Sequence, residues 1–361
     1  MAAGNDKPMD ADYRSGGQAS WIDFSGTENP FGTPDSFVRA IVDAASNGVL
    51  SYNPDRNAYA FRNALARLYS LPAESFLVGA TPGTMIRAAA QTFEPCSVGV
   101  TAPCPTEYVL ALSNAGHRIR KITLTSSYST PIYSALEMQK VEVDAVVLAN
   151  PSYPTSRLLA HSILDTYLQN CDWVVVDERS IKLTLGGRSF ADLTAEYKNL
   201  IVVQSLCEEF AMPGAHVSYC IAHPDTIAEL KRFYDNSGVT MFPEVLAEAL
   251  VSEFPKLDGV RGFLYSEIPW MQTMLSLLPG VDIIPAEANY VMSSYRNDGS
   301  LSREVPDVAA LANQLELAGF LIKKLEGMPG LGSSDYFCVA VRTRQQNEAL
   351  INAMRTLITT P

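Results

Sequence analysis

Short apolar runs alternate with helix-length segments over most of the chain. Four of these runs are continuous and rich in β-branched residues, at positions 145–148, 173–176, 200–203 and 217–222. Strands that are buried on both faces have this pattern, because helices cover both sides of a parallel sheet. Residues 50–260 therefore predict one large α/β domain with a doubly wound, mainly parallel sheet.

The segments between the strands carry helical patterns. Residues 36–47 begin after a Pro-Asp pair and stop before a glycine, which are signals of a helix start and a helix end. Residues 59–71 place Phe61, Leu65 and Leu68 on one helical face. These helices are the expected cover of the sheet.

The pattern changes toward the C-terminus. Strand-like segments at 281–295 and 335–343 are interspersed with helical segments at 305–319 and 345–358. This mixture predicts a small α+β domain over residues 261–361.

The N-terminal part is expected to lie outside both domains. Residues 1–20 are polar and small and predict a loose segment. Residues 21–49 predict an N-terminal arm and a helix that join the small domain.

Composition limits the partners and the compartment. The chain of 361 residues is 47% hydrophobic and 18% charged, with a net charge of −12. This charge argues against nucleic acid and anionic membrane surfaces as partners, and no apolar run approaches the ~20 residues of a membrane span. No signal peptide is visible, and the six cysteines lack metal-like spacing, so a cytoplasmic protein with free thiols and no metal is expected.

Ligands of open α/β sheets bind at the carboxyl ends of the strands. The segments that follow the apolar runs are therefore candidate site segments, at residues 79–84, 103–106, 150–155, 177–180 and 205–208.

These segments, in this order, carry a resemblance to a known family. LVGATPGTMI resembles a phosphate loop, VVLANPSYPTS resembles NPNNPTG, and VVVDERS resembles DEAY. NLIVVQSLCEEFAMPGAHVSYCIA resembles NLIVLRSFSKFYALPGLRLGY, and YFCVAVRTRQQNEALINAM resembles YLRVAVRTREENERLVEAL. IDFSGTENPFGTPDSF and SYNPDRNAYAFRNALARLY resemble the N-terminal arm and the YPD segment. The chain is thus similar to the fold-type I pyridoxal-phosphate-dependent aminotransferases of class I/II, in the branch of histidinol-phosphate aminotransferase and threonine-phosphate decarboxylase.

The resemblance implies pyridoxal 5′-phosphate as the cofactor and assigns residues to it. Asp177 matches the carboxylate that holds the pyridine nitrogen. Tyr52 matches a tyrosine that reaches the phosphate of the neighbouring subunit in a homodimer. The phosphate contacts and the NPxxPT asparagine are matched by Thr81, Gly83, Thr84, Ser205 and Asn150.

Other positions depart from the family pattern. Glu208 stands at the position of the lysine that forms the Schiff base, and a carboxylate forms no imine with an aldehyde, so covalent binding of the cofactor is not expected. His216 stands at a phosphate-binding arginine, and Cys338 at the arginine that binds the substrate carboxylate. Pro105 stands at the stacking tyrosine, with Tyr108 as the alternative ring. Tyr153 and Ser180 replace the two groups that contact the ring hydroxyl.

Four lysines are candidates for a replacement by sequence alone. Lys182 lies beyond Ser180, on a segment that leads away from the strand end, and Lys198 precedes its strand. Lys323 and Lys324 belong to the small domain. A solvated surface role is the expectation for all four.

Several functions are consistent with these residues. The first hypothesis is a pseudo-enzyme or ligand-binding homodimer with a degenerate cofactor site, whose ligand is a small phosphorylated or amino-acid-like compound. The second is altered catalysis through Glu208 and Asp177, with Cys207 or His216 as a nucleophile or proton relay. The third is an active transaminase or amino-acid-phosphate lyase that uses non-covalent cofactor, and the fourth is an interaction role beside an active relative.

Overall fold

The computed structural model describes residues 21–123 and 142–359. The predicted loose segment 1–20 lies outside the described residues.

A seven-stranded sheet forms the centre of the large domain, in the order β2-β8-β7-β6-β5-β3-β4. Adjacent strands are parallel within the part β7-β6-β5-β3-β4. This mainly parallel sheet confirms the predicted fold class. Its strands are β2 (Phe76–Gly79), β3 (Ser97–Ala102), β4 (Arg118–Thr123), β5 (Ala145–Ala149), β6 (Trp173–Asp177), β7 (Leu200–Ser205) and β8 (Ser218–Ala222).

Strand β8 differs from the parallel strands with which its sequence pattern grouped it. It pairs antiparallel with both β7 and β2. The segment between β7 and β8 holds a helix of only four residues, whereas a parallel crossover normally needs a longer helix. The short connection therefore returns the chain in the opposite direction.

Helices cover both faces of this sheet. Helices α2, α5 and α8 pack on one face, and α3, α4 and α7 pack on the other. The helices of this part of the chain are α1 (Asp35–Ser46), α2 (Tyr59–Tyr69), α3 (Pro82–Thr92), α4 (Thr106–Asn114), α5 (His161–Asn170), α6 (Leu206–Glu209), α7 (Pro224–Phe233) and α8 (Phe242–Glu253).

Side chains along β6 point alternately to the two faces of the sheet, and this determines which of them face the candidate site. Val174 and Val176 are buried against one layer of helices, and Trp173 and Val175 are buried against the other. Because side chains alternate along a strand, the next residue, Asp177, continues the face of Val175. This is the face that α3 and α4 cover.

A four-stranded antiparallel sheet forms the centre of the small domain, in the order β12-β13-β10-β9. It packs with three helices around a second core. Its strands are β9 (Val281–Ile283), β10 (Tyr290–Tyr295), β12 (Lys323–Lys324) and β13 (Tyr336–Ala340), and the helices are α9 (Leu257–Ser276), α10 (Val308–Leu317) and α11 (Arg344–Thr359).

The N-terminal arm is attached to the small domain. Strand β1 (Ile22–Asp23) pairs in parallel with β11 (Phe320–Leu321). The guanidinium of Arg342 donates to the backbone carbonyls of Asp23, Gly26 and Glu28. The arm therefore has a defined position.

Within the described residues, no helix is both long enough and apolar enough to cross a bilayer.

Candidate functional site

The site begins where β6 ends, with two acidic residues on opposite faces of the sheet. Asp177 is 2% exposed and faces α4, from which the Tyr108 hydroxyl donates to its Oδ2 atom at 2.6 Å. Glu178 accepts hydrogen bonds from Ser189, Gln204 and the Phe190 backbone on the other face. Asp177 is thus the carboxylate that faces the candidate site.

The guanidinium of Arg179 binds this carboxylate. Its Nε atom lies 3.1 Å from Oδ1 and 2.9 Å from Oδ2 of Asp177, and its Nη2 atom lies 2.5 Å from Oδ2. The same Nη2 atom donates to Oε1 of Glu107 at 2.5 Å. Burial lowers the pKa of Arg179, but the negative charges of Asp177 and Glu107 raise it by more than burial lowers it. The pKa of Arg179 therefore lies above its ordinary value. Arg179 is a fixed cation held by two carboxylates.

Glu208 lies in the short helix α6, directly after β7. Burial raises the pKa of its carboxyl group, the positive charge of Arg179 lowers it, and Asp177 raises it again. Its Oε2 atom is buried and makes no hydrogen bond. Ser205 precedes this helix, and its hydroxyl oxygen accepts from the Cys207 backbone at 3.0 Å. Glu208, which the motif resemblance aligns with the family lysine, is therefore a half-buried acid whose Oε2 atom is shielded from solvent.

The loop that the resemblance assigns to the phosphate is hydrogen-bonded within itself. Thr81 and Thr84 form a capping box at the start of α3, with each side chain accepting from the backbone of the other. The carboxylate of Glu107 lies beside Gly83, where it would be 2.8 Å from an added Cβ atom. A helix N-terminus normally favours an anion. Here the carboxylate of Glu107 already lies beside the N-terminus of α3.

Three other residues that the resemblance assigns to the cofactor make no described hydrogen bond with Asp177, Arg179 or Glu208. His216 is exposed and has a positive φ of 51°. Pro105 lies immediately before α4 as its N-cap residue. Tyr52 is 77% exposed, which leaves its ring available to a second subunit. Tyr108 is the alternative to Pro105 as the residue that stacks on the cofactor ring, and its hydroxyl donates to Asp177.

Asn150 and Ser180 are both buried. The Oδ1 atom of Asn150 accepts from the Leu159 backbone at 3.0 Å, and its Nδ2 atom lies 3.4 Å from Oε1 of Glu178. Asn150 therefore takes part in the network on the opposite face of the sheet from Asp177. Ser180 is 4% exposed and directly precedes a 3₁₀ turn.

Tyr153 lies between the large and small domains. Its ring centroid is 5.5 Å from that of Tyr290 in β10. Burial raises the pKa of its hydroxyl, with a further contribution from Cys338, whereas Arg179 lowers it. Cys338 is buried in β13 opposite Lys323 of β12. Tyr153 thus connects the surroundings of Arg179 to those of Cys338.

The candidate replacement lysines lie elsewhere. The Nζ atom of Lys182 is 4.8 Å from the ring centroid of Phe254, near the helices on the opposite face of the sheet. Lys198 is exposed and pairs with Asp225 at 2.6 Å. Lys323 is exposed and Lys324 is half-buried, both in β12.

The groups suggested for a relay do not support nucleophilic chemistry. Cys207 is buried, and burial raises the pKa of its thiol with a further contribution from Glu208. A thiol with a raised pKa is a poor nucleophile because the thiolate is the reactive form. Among the described contacts, the side chain of the exposed His216 makes no hydrogen bond with the Cys207 thiol.

Arg179 and Glu107 were missed by the sequence analysis. The motif DERS carried a signal for Arg179, because the family pattern DEAY has an alanine at that position. Glu107 gave no comparable signal. Its role depends on how α4 places it beside both Arg179 and Gly83.

Pyridoxal phosphate, which the family implies, does not fit this set of residues. Asp177, which the resemblance assigns to the pyridine nitrogen, is already bound by Arg179 and Tyr108, and the carboxylate of Glu107 lies beside Gly83 of the loop that the resemblance assigns to the phosphate. Glu208, which the motif resemblance aligns with the family lysine, is a half-buried carboxylic acid and supplies no amine. A phosphate ester would therefore enter a pocket that holds three carboxylates and one internally paired cation.

Comparison with known proteins defines the family. A sequence model of the family described as aminotransferase class I and II matches residues 19–294. A threonine-phosphate decarboxylase from Salmonella typhimurium is 26% identical over 344 residues, which cover 94% of this chain and 91% of the relative.

Solved structures show the same fold. A histidinol-phosphate aminotransferase from Clostridium acetobutylicum superposes with a TM-score of 0.80 at 20% identity, covering 92% of this chain and 98% of the other. A histidinol-phosphate aminotransferase from Sinorhizobium meliloti, solved in complex with pyridoxal 5′-phosphate, gives 0.75 at 16% identity over 93% and 90% of the two chains. The resemblance read from the sequence motifs is confirmed, and pyridoxal phosphate is the cofactor implied by the family. The chain belongs to the aminotransferase class I and II family.

Proposed function

We propose that this chain is a ligand-binding pseudo-enzyme of the aminotransferase family that forms no imine with pyridoxal phosphate. The proposal combines two changes in one pocket. Glu208 supplies no amine, and Arg179 occupies the carboxylate that would hold the pyridine nitrogen.

The Arg179–Asp177 pair is the observation that carries the proposal. A bidentate, partly buried pair of this kind is a strong charge-assisted contact. A cofactor that needs Asp177 must first displace Arg179 from this carboxylate. A single substitution at the lysine position would leave the rest of the cradle ready for the cofactor, whereas this arrangement does not.

The active assembly is proposed to be a homodimer in the cytoplasm. Leu50, Tyr52 and Tyr59 are 73%, 77% and 67% exposed and lie close together in sequence at the start of the large domain. Large apolar side chains with this exposure are typical of a protein interface. The six cysteines are free thiols, which agrees with a reducing compartment.

The ligand is proposed to be small and amino-acid-like rather than phosphorylated. The net charge of Asp177, Glu107, Glu208 and Arg179 is negative when all four are ionised, and a dianionic phosphate is repelled by such a pocket. The phosphorylated substrates in the names of the relatives therefore do not transfer to this chain.

Proton transfer through Glu208 is a second candidate function. Burial raises the pKa of the Glu208 carboxyl group, and general acid–base catalysis commonly uses carboxyl groups whose pKa has been raised in this way. This alternative predicts chemistry that Glu208→Gln abolishes without loss of ligand binding.

An absorption titration with pyridoxal phosphate tests the proposal. The expected result is a spectrum equal to the sum of protein and free cofactor, and no turnover when an amino donor is added. A new visible imine band together with transfer of the amino group would overturn it. A structurally similar aminotransferase with its lysine intact serves as the positive control.

A further inference from the structure

A cavity of about 160 Å³ lies along β2 and shares no lining residue with the candidate site. Among the described strands, β2 is at the end of the sheet and pairs only with β8. The side chains of Phe76 and Val78 are buried in one core and that of Leu77 in the other, so β2 meets the cavity with its unpaired backbone edge. Backbone N–H groups at the edge of a sheet are donors that favour an anion.

Three cationic side chains line this cavity, and they belong to Arg56, Arg62 and Lys231. The ion pairs of the described residues involve none of the three. The whole chain has 27 lysines and arginines against 39 acidic residues, so this concentration of cations runs against the overall charge. Solvation by water accounts for one exposed lysine, whereas three cations around one cavity favour a shared counterion.

We propose that this cavity binds a dianionic phosphate group, either free phosphate or the phosphate end of a small monoester. The proposal goes beyond the proposed function and does not depend on it, because the two sites share no residue.

The guanidinium of Arg62 is already oriented. The side chain is half-buried, and its Nε and Nη2 atoms donate to the Ala73 carbonyl at 2.9 and 2.6 Å. Among the described contacts, no hydrogen bond uses its Nη1 atom. A planar guanidinium that is held in this way loses little side-chain entropy when it donates to a phosphate oxygen.

Lys231 lies in the last turn of α7. Partial burial lowers its pKa, and the positive charge of Arg62 lowers it further, whereas Glu74 raises it. The helix dipole favours a cation in this turn but does not explain why it lines a cavity with another cation. The neighbouring Arg232 has an ordinary surface arrangement, with an exposed ion pair to Glu229. An anion between Lys231 and Arg62 removes their mutual repulsion.

The turn before α2 places Arg56 and Asn57 at the cavity. The carboxylate of Asp55 accepts from the backbone N–H groups of Asn57 and Tyr59 at 2.9 and 3.0 Å. This carboxylate therefore holds the turn and forms no ion pair with Arg56. The amide of Asn57 adds a neutral donor to the lining.

Tyr234 and Asn236 provide neutral donors from the chain that follows α7. The Tyr234 hydroxyl lies beside Gly79, where it would be 2.5 Å from an added Cβ atom, so the missing side chain of Gly79 makes room for it. Burial raises the pKa of Tyr234 to about 12, and its hydroxyl therefore keeps its proton at neutral pH.

The size of the cavity suits a phosphate group. Its volume of about 160 Å³ is close to that of an apolar cavity of about 150 Å³ that holds benzene. A phosphate group is smaller than benzene, so the cavity also admits part of an ester chain. The charged and polar lining selects an anion rather than an apolar ring.

Calorimetric titration of the full chain with inorganic phosphate, and separately with glycerol 3-phosphate, at constant chloride tests the proposal. The unmodified protein is expected to bind one phosphate group per chain. Arg56→Gln combined with Lys231→Gln is expected to weaken this binding by about tenfold or more, because charge-assisted hydrogen bonds are lost. Tighter binding of inorganic phosphate identifies a site for the free ion, and tighter binding of glycerol 3-phosphate identifies a site for a monoester.

The matched control is Arg67→Gln combined with Arg232→Gln. It removes the same charge from exposed positions on α2 and α7 that do not line the cavity, and it is expected to keep the affinity for phosphate. No phosphate binding by the unmodified protein would overturn the proposal, as would an equal affinity in the cavity variant or an equal loss in the control. Lys231→Gln alone replaces the cavity variant if circular dichroism shows that the latter does not fold.

Discussion

At the scale of single residues, we propose that Glu208 and Arg179 act against the cofactor by different means. In this proposal Glu208 stands in place of the amine, and Arg179 occupies Asp177, the carboxylate assigned to the pyridine nitrogen. Because the two effects are independent, repairing one of them should not restore the site.

A pair of variants tests this independence. Glu208→Lys alone is expected to show no visible imine band with pyridoxal phosphate, because Arg179 still holds Asp177 and repels the new ammonium. Glu208→Lys combined with Arg179→Ala is expected to show the band, measured by absorption spectroscopy. A full band in the single variant would mean that Arg179 is no obstacle.

Glu209 predicts a pH dependence of stability that is unrelated to the cofactor. This residue is 0% exposed, and burial raises the pKa of its carboxyl group to about 8 against the opposing effect of Lys182. The folded chain therefore keeps this proton up to about pH 8, whereas the unfolded chain releases it near pH 4.5. Stability should fall as pH rises between these values, because the folded state binds more protons than the unfolded state there.

Glu209→Gln is expected to remove part of this fall. Urea unfolding at about pH 5.5 and about pH 8 should show a difference smaller by roughly 1–3 kcal/mol in the variant. Glu248→Gln, at an exposed position, is the matched control and should leave the difference unchanged. An identical pH dependence in all three proteins would refute the protonated state of Glu209.

At the scale of single residues, the sequence indicated which residues lie at the candidate site better than it indicated which of their side chains contact each other. Asp177 could be placed in the pocket because it follows a strand with alternating buried faces. The bond between Arg179 and Asp177 could not be predicted, because a residue after a strand can turn to solvent as readily as back toward the sheet. The position of Glu107 depends on the packing of α4.

At the scale of elements, a buried acid joins two helices of the small domain. Glu267 of α9 is 3% exposed and accepts from Arg344 at 2.8 Å and from Asn347 at 3.1 Å in α11. Arg344 also lies 4.4 Å from the ring centroid of Trp270. This contact fixes the two helices against each other.

Glu267→Ala is expected to lower the free energy of unfolding by roughly 2–4 kcal/mol, because it removes the carboxylate that binds the Arg344 guanidinium and one of the two acceptors of the Asn347 amide. Glu229→Ala breaks an exposed pair with Arg232 and is expected to change the free energy by less than about 1 kcal/mol. Denaturant unfolding of both variants measures the contrast. Equal effects would contradict the importance of the buried contact.

Elements were predicted well where both faces are buried, and their direction was predicted less well. The runs at 173–176 and 200–203 were found because continuous β-branched residues have few other uses. The direction of β8 was not apparent, because an apolar run has the same composition in parallel and antiparallel pairs.

At the scale of the whole molecule, the exposed apolar residues near the start of the large domain predict the dimer interface. Leu50→Glu is expected to convert a dimer to a monomer with an unchanged circular dichroism spectrum, because burying a charge in an apolar interface is unfavourable. Leu317→Glu, at a residue 82% exposed in the small domain, is the matched control and should stay dimeric. Sedimentation velocity gives the mass, and a dimeric Leu50 variant would place the interface elsewhere.

The central claim is that an aminotransferase fold has been kept while its covalent cofactor chemistry has been lost. The fold could be predicted from seven collinear motifs, whereas the state of the site depended on side-chain contacts that no motif records.

Reductive trapping tests this claim most directly. The unmodified protein is mixed with excess pyridoxal phosphate, treated with borohydride and analysed by intact mass and peptide mapping. The account predicts no stoichiometric adduct on any lysine, with at most scattered labelling of exposed lysines. A single lysine that carries one reduced cofactor per chain would contradict it.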